Sequence, residues 1–322
     1  MARITTRLTR AFGIDHPILL APMAGVSGGL LAKAVSEAGG LGLIGGGYGD
    51  ADFLTQAFRD AGNSPVGCGF ITWSLAQQPD LLDLVLSHTP RAIMLSFGDP
   101  QPFAAKIAAI NIPLICQCQT IDHVRQALDA GAAVIVAQGG EAGGHGARRG
   151  TLNFVPEVAD FLSAHAPDTL LVAAGGIADG RGLAAALMLG ADGVLVGTRF
   201  WASQESLAPL QHRQAALSAT GDETVQTSTV DIVRDKNWPA PFKVRVQQNA
   251  FTRQWHGREA DLRAVVEEAS TAYTTALAAG DPQQSAPICG EAIGLIATIE
   301  PAARIVQAMV TQAHARLNSR FE

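Results

Sequence analysis

At 322 residues, 48% hydrophobic and 16% charged, the chain is long enough for one large core or two smaller domains. Its net charge of −6 and pI near 5.7 argue against nucleic acid or an acidic membrane surface as a partner. The four cysteines, Cys68, Cys116, Cys118 and Cys289, suggest neither a disulfide scaffold nor a paired zinc pattern, and read as reduced thiols of a cytoplasmic protein.

The opening MARITTRLTRAFG carries three arginines and no acid. It lacks the serine richness of a transit peptide, and a core-like run begins at Pro17, so no cleaved targeting segment is expected. No apolar run approaches the roughly 20 residues of a membrane helix. From Pro17 to Thr198 two textures alternate. Short apolar runs read as buried parallel strands: 17–23, 41–46, 65–70, 92–97, 113–118, 132–137, 170–176 and 193–198. Between them lie helical stretches such as GLLAKAVSEAGG and HVRQALDAG, several closed by glycine. Eight strands with helical crossovers at roughly 22 residues per unit favour an α/β fold of the (β/α)8 or TIM-barrel type over an open sheet.

Past Thr198 the texture changes. Residues 221–258 are rich in Thr, Gln, Asn and Pro with several aromatics, and show no parallel-strand signal. Residues 259–280 place Leu262, Val265, Val266, Ala269 and Tyr273 at helical spacing, closed by Gly280. Residues 288–317 read as one or two closing helices. The expected partition is a barrel of residues 1–220 and 286–322, with a small, mainly helical cap over 221–285.

In such a barrel the active site lies at the C-terminal ends of the strands. The seventh and eighth runs end in Ala174-Gly175-Gly176-Ile177 and Gly197-Thr198-Arg199-Phe200. Gly175 and Gly176 let main-chain N–H groups approach an anion, and Gly197-Thr198 adds another N–H and a hydroxyl. Two adjacent loops of this kind point to a phosphate site.

Three other patterns carry less. Gly40-Leu-Gly42-Leu-Ile-Gly45 matches a dinucleotide fingerprint in letters but lies within a strand. Cys116 and Cys118 lie along one strand, where one could face the barrel interior; ordinary core cysteine is the preferred reading. Glu141 and His145 would face each other on a helix, but the surrounding glycines oppose a helix, so no metal site is expected.

His145 itself stands out. It sits in QGGEAGGHGARRG (138–150), directly after the sixth strand, flanked by residues with no side chain to block access. A neutral imidazole there can accept a proton from a carbon acid, and its protonated form can hold an anion. Arg148 and Arg149 read equally well as helpers of an anionic ligand or as solvated loop charges.

Together Ala21-Pro22-Met23, CQCQT (116–120), AQGGEAGGHG (137–146), AGGIADGRG (174–182) and GTRF (197–200) resemble the nitronate monooxygenase family. The likeness extends to WHGRE (255–259) and GEAIGLI (290–296), and so spans nearly the whole chain. It implies an FMN cofactor and metal-free oxidation of alkyl nitronates by O2 to a carbonyl compound and nitrite. Carried over by motif, Ala21, Pro22 and Met23 would lie along the flavin ring and Gln117 and Gln138 would make polar contacts to it. Gly175, Gly176, Gly197 and Thr198 would hold the phosphate. His145 would be the catalytic residue, and Phe70, Trp73 and Gly144 would shape the substrate pocket. Some relatives have a lysine where this chain has Gln117, which leaves an anionic flavin to neutral donors and main-chain dipoles.

The implied partners are a small nitronate, propionate 3-nitronate among the candidates, and O2, with neither nucleic acid nor membrane; a homo-oligomer stays open. The resemblance also leaves an alternative enzyme, an NAD(P)H-dependent FMN reductase acting on a quinone or enoyl thioester, and a non-enzymatic one, a flavin-binding protein without turnover.

Overall fold

Strand alternation decides what lies inside this protein. The structure, a computed structural model, describes residues 3–319. The outermost residues of the expected partition, 1–2 and 320–322, lie outside the described residues. Each of the eight apolar runs carries a strand: β1 (Ile18–Leu20), β2 (Gly42–Gly47), β3 (Val66–Ile71), β4 (Ile93–Ser96), β5 (Leu114–Cys118) and β6 (Val134–Gln138), then, beyond the short β7 (Gly144–Gly146), β8 (Leu170–Ala174) and β9 (Gly193–Val196). They pair in parallel in the order β1-β9-β8-β6-β5-β4-β3-β2. A single bridge between Leu19 and Leu41 joins the two ends, so the sheet is a nearly closed TIM barrel.

One residue of each alternating pair points inward. Leu19, Leu43, Met94, Ile115, Val134, Val136, Val172 and Leu195 belong to one buried cluster, the barrel interior. Their neighbours Ile18, Ile44, Ile93, Ile135, Leu171 and Val194 belong to the larger cluster shared with the surrounding helices. Cys116 and Cys118 fall in this outer set, so neither sulfur faces the interior as the sequence reading allowed. Residues two apart on a strand share a face, and the inward position between them is Gln117.

The N-terminal segment closes the bottom. A short helix, Arg7–Phe12, is capped by Thr6 and ended by Gly13 at φ 63°. Its buried Leu8 and Phe12 join the interior cluster. A Cβ at Gly193 would stand 2.4 Å from Leu8 Cδ2, so the absence of a side chain there lets the plug seat.

Residues 221–285, called the cap below, contain helices Thr229–Val233, Ala250–Trp255, Glu259–Ala264 and Val266–Ala279. The cap also contains an antiparallel pair, β10 (Thr224–Thr227) and β11 (Lys243–Gln247). Val230, Val233, Val244, Val246, Phe251, Leu262 and Tyr273 pack into its own core. The single helix expected over 259–280 is broken at Val265, whose φ of −123° is not helical. That valine is 42% exposed, so the apolar spacing that included it mixed two separate helix faces. After the cap the chain makes a 3-10 turn, Glu291–Leu295, and a closing helix, Ala302–Asn318.

Candidate active site

Following the inward parity to the top of the barrel gives the floor of a pocket. The last inward positions, Ala21, Gly69, Ser96, Gln117, Gln138, Ala174 and Gly197, all line it. Most are too small to fill the barrel mouth, and the remaining large ones are two amides. Pro22, Met23, Phe70, Gly144, His145, Gly175, Gly176 and Thr198 line the same cavity. The structure therefore brings all but one of the expected site residues together. The exception is Trp73, which lines an adjoining chamber and stands edge-on to the pocket residues Tyr48 and Trp238, at 6.0 and 5.5 Å between centroids.

The amides form a directed network. Gln138 Nε2 donates to the main-chain oxygen of His145 at 3.2 Å, which sets the Gln138 amide orientation. Gln138 Oε1 then accepts from Gln117 Nε2 at 2.8 Å and from Gln119 Nε2 at 2.6 Å.

The histidine loop is not structureless. Gly144–Gly146 is β7, which pairs antiparallel with β11, His145 opposite Val244. The loop is thereby stitched into the cap sheet. A Cβ at Gly143 would lie 2.5 Å from Cys289 C and Gly290 N, so glycine there permits the close approach. Glu141 does not reach a metal with His145; its carboxylate accepts from the Thr151 N–H at 2.9 Å and the Thr151 hydroxyl at 2.8 Å. Arg149 pairs with Glu157.

His145 is 9% exposed and its Nε2 lies 2.9 and 3.0 Å from the two carboxylate oxygens of Asp231, itself buried. The imidazole stacks on Trp238 with 3.3 Å between centroids and 8° between planes. Trp238 Nε1 in turn donates to the Tyr48 hydroxyl at 2.9 Å. Burial lowers the His145 pKa below the usual imidazole value; the Asp231 carboxylate opposes that shift and the Arg234 cation adds to it. With Nε2–H committed to Asp231, Nδ1 carries the lone pair, and it has no partner among the described residues. A neutral, oriented base results, whose conjugate acid Asp231 and the Trp238 face both stabilise. Arg234 lines the same pocket, 5.8 Å from the Tyr48 ring centre, and makes no ion pair among the described residues.

Asp231, Arg234, Trp238 and Tyr48 were not found from the sequence. The first three come from TSTVDIVRDKNWP (227–239), in the cap. The available signal was a lone acid, Asp231, embedded in the apolar run TVDIV.

On the opposite side, Gly175 and Gly176 have φ of 105° and 71°. Their N–H groups donate to no acceptor among the described residues. A Cβ at Gly175 would stand 2.8 Å from Thr151 Oγ1. The Thr198 hydroxyl accepts from Gly290 N–H at 2.9 Å, leaving its own proton to give. Uncommitted donors beside a floor of small residues fit the ring and a phosphate group of a flavin.

The nitronate monooxygenase family model matches residues 5–66 and 71–312. Nitronate monooxygenase npaC of Metarhizium robertsii is 35% identical, over 94% of this chain and 92% of that protein. Among solved structures, FabK from Thermotoga maritima superposes with a TM-score of 0.85 at 30% identity, covering 98% of this chain and 97% of its own. Nitroalkane oxidase from Streptomyces ansochromogenes gives 0.79 at 28% identity, covering 96% and 98%. With the barrel, the glycine-lined floor and the histidine loop all in register with that match, the chain belongs to the nitronate monooxygenase family.

Proposed function

We propose that this protein binds FMN and oxidises alkyl nitronates with O2 to a carbonyl compound and nitrite. The observation that carries the reading is the buried His145–Asp231 pair facing a floor of glycine, alanine and two amides. FMN, when bound, supplies the electron-accepting chemistry. Ala21, Pro22 and Met23 offer a flat side-chain-poor wall for its ring, and Gln117 and Gln138 offer neutral amide contacts. Gly175, Gly176, Gly197 and Thr198 offer donors for its phosphate.

His145 acts at Nδ1. With a neutral nitroalkane it accepts the α-carbon proton, and Asp231 holds the imidazolium so formed. With a nitronate already formed, Arg234 supplies the standing cation, because His145 is neutral at neutral pH. Phe70, Phe97 and Trp238 exclude water from the reacting carbon, which strengthens both effects. Nitronate and O2 are the proposed partners, propionate 3-nitronate being one candidate whose second anionic group Arg234 would also suit. Four buried free thiols support a reducing, cytoplasmic location. Among the described residues no helix is long and apolar enough to cross a membrane.

The test is an anaerobic mix of the flavin-loaded protein with an alkyl nitronate, then separately with NADH, while recording the flavin spectrum. Rapid reduction by the nitronate with NADH inert supports the reading; bleaching by NADH alone overturns it in favour of a reductase.

A further inference from the structure

We propose that Arg245, a cap residue outside the reaction pocket, is the positioning residue that holds the histidine loop in its working geometry. This rests on the reading of His145 as the base given above. Gly139, Gly140, Gly143 and Gly144 all precede His145 in the loop. Glycine gives up more backbone freedom on ordering than any other residue, so the imidazole is placed only as well as the loop is tied down from outside.

Arg245 ties it at two points. It lies on β11 between Val244 and Val246, whose side chains pack into the cap core. Strand alternation sends the arginine side chain to the opposite face, where Nε donates to the Gly140 carbonyl oxygen at 2.9 Å. In the ladder Arg245 itself stands opposite Gly144. One residue thus holds the loop on either side of residues 141–143, the bend that leads into His145. Gly140 is buried, and a cationic donor makes the stronger bond to its oxygen; the neutral Gln226 Nε2 lies 3.4 Å from the same atom.

The guanidinium is held in its turn. Nη1 donates to Thr224 Oγ1 on β10 at 3.0 Å, and Nη2 lies 3.1 Å from Glu291 Oε1. The Glu291 N–H donates to the Glu141 carbonyl oxygen at 3.0 Å, and the adjacent Gly290 N–H donates to the Thr198 hydroxyl. Arg245 therefore joins the histidine loop, the cap sheet and the turn that reaches the candidate phosphate site. All three guanidinium nitrogens are committed, and the residue does not line the reaction pocket, so it acts through the loop and not on the substrate. Lysine cannot replace it, because a single ammonium cannot span three acceptors arranged around a planar fork.

Hydrogen exchange of the flavin-loaded protein, read by mass spectrometry, tests the hold directly. Arg245→Lys should speed exchange of the β7 amides by about tenfold or more, with those of β8 unchanged. Glu291→Gln, which removes the ion pair but leaves the bond to Gly140, should not. The kinetic counterpart is a split between substrates. Arg245→Lys should lower kcat/KM for neutral nitroethane by about tenfold or more and for preformed ethyl nitronate much less, since only the first needs an aligned base. Unchanged β7 exchange in Arg245→Lys, exchange that rises alike in β7 and β8, equal losses on the two substrates, or a Glu291→Gln variant that reproduces the split would each overturn the proposal. Absence of turnover of either substrate by the unaltered protein would sink the nitronate reading instead, and the exchange rates would still decide the role of Arg245.

Discussion

His145 Nε2 sits within 3.0 Å of both carboxylate oxygens of Asp231, so a carboxylate from the cap orients the imidazole at the barrel mouth. Asp231→Asn keeps the shape but removes the charge that favours the imidazolium. We expect kcat/KM for neutral nitroethane to fall by roughly 10²–10⁴-fold. The loss for preformed ethyl nitronate should be much smaller, with flavin content unchanged. Steady-state kinetics on the two forms decide it: equal losses would sink the proton-transfer role.

Arg234 is the cation in the pocket left without an ion pair among the described residues. Arg234→Met should raise KM for a nitronate by about tenfold, of the order of 1.4 kcal/mol. It should also flatten the dependence of kcat/KM on ionic strength. A fall in kcat at constant KM would point instead to a role in the chemical step.

Gly175 combines a φ of 105° with no room for a Cβ beside Thr151. Gly175→Ala should cost about 1–3 kcal/mol in backbone strain and displace the adjacent N–H donors. The expected result is loss of most bound flavin after gel filtration, together with a lower thermal midpoint. Full flavin retention would remove this loop from the phosphate site.

Burial lowers the pKa of His16, His123, His145 and His212 below the usual 6.5. The unfolded chain therefore takes up these protons first as pH falls. Their contribution to stability is fully present above about pH 6.5 and is lost below it. The thermal midpoint should drop between pH 7.5 and 5.5, and His145→Asn should remove part of that slope. A flat profile would contradict the lowered values of these imidazoles.

The barrel and its floor were legible in the sequence because both are local. A buried parallel strand is an apolar run wherever it lies, and two-residue periodicity carries Leu19 to Ala21 and Ile115 to Gln117 without further information. The helix break at Val265 was not legible, since the apolar spacing alone continues across it.

What the sequence by itself determined was the set of strand ends: His145, Gly175, Gly176, Gly197 and Thr198 had to meet at one mouth once eight strands closed. Only the tertiary structure decided what faces that mouth from the cap. Asp231 reaches His145 across 86 positions in sequence, through β7 pairing with β11 and a cap core that seats the helix Thr229–Val233. No local pattern encodes a contact between segments so far apart. It arises from register between strands and from side-chain packing, and both exist only in the folded chain.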